Sequence, residues 1–171
     1  MKWISAIVAL ALAALTVLVA TPLAADAANL GPGYEYQGQP GSHLGGYADP
    51  DGTVSYCINA GAPSAIGKLT TDAGVVGSVN GLDADTMVRL NEVLSAHGNT
   101  SDDNIAAAVA MTVWSIAGPA DYNAEGGDRY VLGRAPSSQR ATILALAGQF
   151  RDEAAAYIAP TGTATLTLAV D

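Results

Sequence analysis

Cysteine, lysine and positive charge are all scarce in this chain of 171 residues. Cys57 is the only cysteine, so no disulfide can form within the chain. An exported protein carrying one thiol must bury it, bond it to another chain or use it chemically. Arginine and lysine number 7 against 16 aspartates and glutamates, a net charge of −9. That sign repels phosphate backbones, and no basic cluster offsets it, which excludes nucleic acid as a partner. Histidine occurs twice, at His43 and His97. Neither belongs to a Cys/His/Asp group with ligand spacing, so no metal or other cofactor is predicted. Asp49-Pro50-Asp51 and Asp102-Asp103 read as a turn and a helix cap rather than calcium loops. The glycines from Gly74 to Gly81 lack a phosphate-binding spacing and a following lysine. Charged residues make up 13% of the chain and apolar ones 50%, which excludes a disordered acidic segment.

Long apolar stretches are confined to one place. Lys2 precedes an apolar run from Ile4 to Ala20, and Ala25-Asp26-Ala27 follows it. This is the charged, hydrophobic and small-residue order of a secretory signal peptide, with cleavage expected after Ala27. The other reading of the run is an uncleaved anchor, since its length approaches that of a short membrane helix. Cleavage leaves no further membrane span and keeps the net charge at −9, because Lys2 and Asp26 depart together. The expected product is a secreted or cell-surface domain over 28–160. A strand start follows at 161–171, either pairing back or opening a further domain.

The mature chain begins with glycines interleaved with Tyr34, Tyr36 and Tyr47. Tyrosines of this kind make either a contact surface for a ligand or the packing of a small β-region, and the second reading is preferred. Asp49-Pro50-Asp51-Gly52 is a turn signal, and Thr53 to Ile58 alternates as a strand, giving a hairpin whose second strand carries Cys57. Three helices are predicted after it. The first is capped by Asp83 or Asp85, carries Met87, Leu90 and Leu94 on one face, and stops at Gly98. Thr100 and Asp103 suggest a capping box for the second, with Ile105, Val109, Val113 and Ile116 as its stripe up to Gly118-Pro119. The third runs from about Ser138 to Ala159 with Ile143, Phe150, Ala154 and Tyr157 facing inward. Thr163 to Val170 alternates as a final strand. The predicted class is α+β, strands first and helices after.

Two segments together resemble a known family. Tyr56-Cys57-Ile58-Asn59 resembles the aromatic-Cys-aliphatic-Asp/Asn motif of thioester domains on surface proteins of Gram-positive bacteria. Val109-Ala110-Met111-Thr112-Val113-Trp114, about fifty residues on, resembles the helix motif Thr-Gln-x-x-aliphatic-Trp of the same family. The lead-in Thr100 to Asp103 and the helix Met87 to His97 are similar in style to actinobacterial members, and the resemblance spans roughly Tyr34 to Ala159. It implies a cysteine–glutamine thioester that an amine on a host or partner surface attacks, making a covalent adhesin. Here the chain departs from the pattern: Ala110 stands where that glutamine would be, and alanine has no carbonyl to acylate. The remaining glutamines are Gln37, Gln39, Gln139 and Gln149, all outside the motif, and Lys68 is the only lysine after the leader, which disfavours an isopeptide bond. The expectation is therefore the thioester fold without the bond: a non-enzymatic module that binds an unknown surface or host ligand non-covalently, or is purely structural. The alternative is a secreted cysteine-dependent hydrolase or transamidase with Cys57 as nucleophile and His97 as base, provided the fold brings the two within hydrogen-bond reach. Cys57 does not open a helix whose dipole would lower its pKa, which weighs against that alternative.

Overall fold

A computed structural model describes residues 29–36, 42–49, 52–66, 79 and 81–157. The predicted leader at 1–27 and final strand at 163–170 lie outside the described residues. Strands β1 (Asn29–Glu35), β2 (His43–Ala48) and β3 (Val54–Ser55) form one antiparallel sheet in the order β1-β2-β3. The β2–β3 hairpin closes where the sequence placed its turn, with Gly52 N donating to Asp49 O at 2.9 Å and Asp49 N to Thr53 O at 3.0 Å. Strand β3 is only two residues long, so Cys57 lies just beyond it rather than within it. Tyr56 turns away from the ladder instead, and its hydroxyl donates to Gly98 O at 3.0 Å.

Glycine lets the first two strands approach closely. Gly33 and Gly45 are register partners, both with positive φ, and a Cβ on either would collide with the facing backbone. The same closeness seats the His43 ring, whose Nε2 lies 3.0 Å from Gly46 O and 3.3 Å from Pro32 O. Two carbonyl acceptors at one nitrogen place the proton on Nε2 and leave Nδ1 as an acceptor.

The helices are α1 (Ala84–Val93), continued by a π-helical turn at Leu94–Gly98, α2 (Asp103–Ala117), α3 (Pro119–Ala124), α4 (Tyr130–Arg134) and α5 (Arg140–Ala156). The three longest match the three predicted from sequence, and the α+β order of strands before helices holds. Asp83 caps α1 by accepting from Thr86 N, while Asp102, not Thr100, caps α2 by accepting from Asn104 N and Ile105 N. Asp103 is thereby free to accept from Gly33 N at 2.9 Å and tie β1 to the start of α2. Helix α2 is not amphipathic as its stripe suggested. It lies among the sheet, α1, α3 and α5, and every residue from Ala106 to Trp114 is buried. Five alanines (106, 107, 108, 110 and 117) thin the helix enough for that enclosure. On α5, Ile143, Phe150 and Ala154 face inward as expected, but Tyr157 is exposed because the helix ends at Ala156. The short helices α3 and α4 had no counterpart in the sequence reading.

Candidate functional site

A cavity of about 480 Å³ opens where β2, the segment after β3, the end of α2, and the α3–α4 region converge. Each wall has a local cause. Strand β2 contributes His43 and Tyr47, both buried, with the rings edge to face at 5.9 Å. The segment after β3 contributes Cys57 and Asn59. Asn59 shapes its turn: Oδ1 accepts from Gly61 N at 2.9 Å, and its carbonyl accepts from Ala62 N at 3.2 Å. The half-buried Cys57 thiol donates to that same carbonyl at 3.3 Å.

Helix α2 contributes Trp114, one turn beyond Ala110 on the same face. Trp114 is 5% exposed and stands edge-on to the Tyr130 ring at 5.1 Å. From α4 come Tyr130 and Arg134, spaced four apart so that the guanidinium lies over the Tyr130 ring, 3.2 Å from its centre. Arg134 Nε donates to Ser42 Oγ at 3.3 Å and Nη1 to Tyr130 O at 3.4 Å. Glu125, just past α3, supplies the cavity's carboxylate.

The electrostatics of the walls are uneven. Burial pushes the His43 imidazole below its usual pKa, so the ring is neutral at pH 7. Tyr130 is pushed up, chiefly by burial, with the Arg134 charge opposing and the Glu125 charge adding. Both charged groups thus act on one phenol. His43 Nδ1 and Trp114 Nε1 are buried without a hydrogen-bond partner. The described residues contain no group of three or more His, Cys, Asp or Glu able to hold a metal ion.

The residues of the sequence motifs are brought together in part. Cys57, Asn59 and Trp114 share the cavity wall, whereas Ala110 is 1% exposed within α2 and does not reach it. Tyr56 and Ile58 pack against the core on either side of Cys57. The three tyrosines go separate ways. Tyr47 lines the cavity, the Tyr36 ring lies 5.6 Å from the Arg134 guanidinium at its margin, and Tyr34 donates to Asn104 Oδ1 at 2.8 Å. Tyr36 and Tyr47 thus lie by the cavity, through Arg134 and directly, while Tyr34 is tied to the start of α2.

His97 does not line the cavity that Cys57 lines. Its Nε2 bonds Glu153 Oε2 at 2.7 Å, and its ring stacks on Phe150 at 3.9 Å, fixing the π-turn to α5. No hydrogen bond joins it to Cys57 among the described residues. Among the glutamines, Gln139 accepts from Asn104 Nδ2 and Gln149 donates to Glu153, both away from the cavity. Gln37 and Gln39 lie outside the described residues. Sequence reasoning passed over His43, Glu125, Tyr130 and Arg134 as cavity residues. The Tyr130–Arg134 spacing was a usable signal, since an aromatic and an arginine four apart on a helix stack.

The chain matches no family model, no curated protein and no solved structure. No helix among the described residues is long and apolar enough to cross a membrane.

Proposed function

We propose that the chain is an exported surface domain of thioester-domain ancestry that has lost the bond and binds a ligand non-covalently. One observation carries the reading. Cys57 and Asn59 meet Trp114 at one cavity, joining the two segments that bear the resemblance, while residue 110, one turn before Trp114, is alanine. Residue 110 lies on the same face of α2 as Trp114, one turn nearer the helix start. Alanine supplies no acyl group. The cavity that remains has polar and aromatic walls and the volume of a small-molecule site.

The test is to express the full chain with its leader, recover it from the medium and weigh it intact before and after methylamine. The expected product starts at Ala28, has its sequence mass and gains nothing from the amine. A deficit of one ammonia that methylamine fills would overturn the non-covalent reading. Retention inside the cell with the leader intact would overturn the exported one.

A further inference from the structure

We propose that α4 is a strap forming one wall of the cavity, anchored at both ends and latched to the sheet by Arg134, and that release of the latch opens the cavity. The strap goes beyond the functional reading above and stands whatever the cavity takes.

The anchors lie on either side of α4. Before it, Asp128 is held by Arg151 of α5, Nη2 at 2.7 Å and Nη1 at 3.2 Å, and accepts from the Tyr122 hydroxyl at 2.9 Å. After it, the carbonyl of the buried Ala135 accepts from Arg140 Nε at 3.0 Å, at the start of α5. A helix of five residues between two such ties stays tethered when its side chains lift from the sheet.

The latch lies between the anchors. Tyr36 N donates to Ser42 O at 2.8 Å, one rung beyond the last paired residues of β1 and β2. Helix α4 rests on that rung. Arg134 Nε donates to Ser42 Oγ at 3.3 Å, its guanidinium lies 5.6 Å from the Tyr36 ring centre, and a Cβ on Gly133 would stand 3.7 Å from the same ring. Tyr130 holds the guanidinium over its ring at 3.2 Å, bonds Ser42 as well, and meets the Trp114 ring edge to face at 5.1 Å. Ser42, Cys57, Trp114, Tyr130 and Arg134 all line the cavity, so the bonds to Ser42 join two of its walls.

The geometry also decides which tie yields first. The Arg134 bond is at the long end for N–H···O and ends on a neutral hydroxyl. The Arg151 grip makes two bonds to a carboxylate, the stronger arrangement. The strap therefore opens at Ser42 while Asp128 stays held.

The test is hydrogen exchange followed by NMR on residues 28–171, which include every described residue. Trp3 departs with the leader, so Trp114 gives the single indole signal. Its N–H has no hydrogen-bond partner, so burial alone protects it and its exchange reports opening. Ser42→Ala is expected to speed that exchange about fivefold, the loss of one hydrogen bond. Arg134→Ala is expected to speed it about tenfold or more, since the ring contact goes too. The α2 amides from Ala107 to Val113 should exchange as in the native chain. Indole exchange unchanged in both variants overturns the proposal, because nothing was latched. Indole exchange sped by the same factor as the α2 amides also overturns it, because the whole domain then loosens rather than the strap. A native indole N–H exchanging as fast as that of free tryptophan overturns it as well, since the strap would cover nothing.

Discussion

Helix α2 and the cavity at its far end are contiguous, and Trp114 belongs to both. From Ala106 to Val113 the helix is sealed, and its one polar side chain there, Thr112, donates to Ala108 O at 2.8 Å. No side-chain group in that stretch is left wanting. One residue further, the indole N–H has no partner, and the neighbouring His43 imidazole is bonded at Nε2 alone. A protein interior tolerates few such groups, so the walls around Trp114 are less completely satisfied than the helix before it. Stability should therefore reside in the helix layer more than in the cavity walls.

The largest effect is expected from Phe150→Ala. Phe150 is 2% exposed on α5 and carries the stacked His97 ring. Removing it should cost about 3–5 kcal/mol in urea denaturation. Ser64→Ala, in the cavity wall, loses only the bond its Oγ accepts from Ile66 N at 3.2 Å and should cost about 1 kcal/mol or less. Comparable losses for the two would erase the distinction between the regions.

Next in size is Ala110→Gln. The site has no spare room, so overpacking should cost about 1–3 kcal/mol. The same variant sharpens the ancestry. If residue 110 faces the Cys57 wall as the resemblance implies, the folded variant should weigh one ammonia less than its sequence. Methylamine should restore that mass, and adding Cys57→Ala should abolish the deficit. A folded variant at full sequence mass would remove the resemblance as a basis for function.

A third test lies between the two regions. Arg151 on α5 grips Asp128 with Nη2 at 2.7 Å and Nη1 at 3.2 Å, and also donates to Ser115 Oγ and the Tyr122 hydroxyl. These bonds tie the α3–α4 region to the helix layer, and the Arg151 hydrogen bond is the leading cause of the lowered Asp128 pKa. Asp128 is more than half exposed, so solvent screening reduces the effect. Arg151→Met should still cost about 1–2 kcal/mol by thermal denaturation. No measurable loss would mean that the region holds its place without this clamp.

The helix layer was legible in the sequence because its signals are local. Spacing placed α1, α2 and α5, and Asp83 marked the first cap. The enclosure of α2 was less legible, since a run of alanines reads alike on a buried helix and on one merely allowing close approach. The cavity was legible only in halves. Cys57 and Trp114 stood out through a resemblance, but nothing near Arg134 signals that an arginine 77 positions from Cys57 shares its wall. Cys57 fell outside its predicted strand because Tyr56 bonds the Gly98 carbonyl, a contact across 42 positions that alternation cannot encode. His97 suited a base by residue type alone. Its partners Glu153 and Phe150 come from a helix that begins more than forty residues later.

The smallest expected effect concerns acid, and it tests the buried imidazole that the cavity shares with the sheet. Burial lowers the folded-state pKa of His43 below its unfolded value of about 6.5. Below that pH the unfolded chain takes up a proton that the folded chain resists, so stability falls with the pH until the folded pKa is passed. Asp83, Asp128 and Glu153 have lowered pKa values instead, and their contributions are lost only in the acid range below about 4. The two windows are separate. Urea midpoints at about pH 7.5 and about pH 5.5 should therefore show a drop in the native chain that shrinks in His43→Gln. A drop unchanged by the substitution would place the acid sensitivity elsewhere. A midpoint that rises on acidification would mean that the charged His43 ring gains a partner for Nδ1 in the folded state.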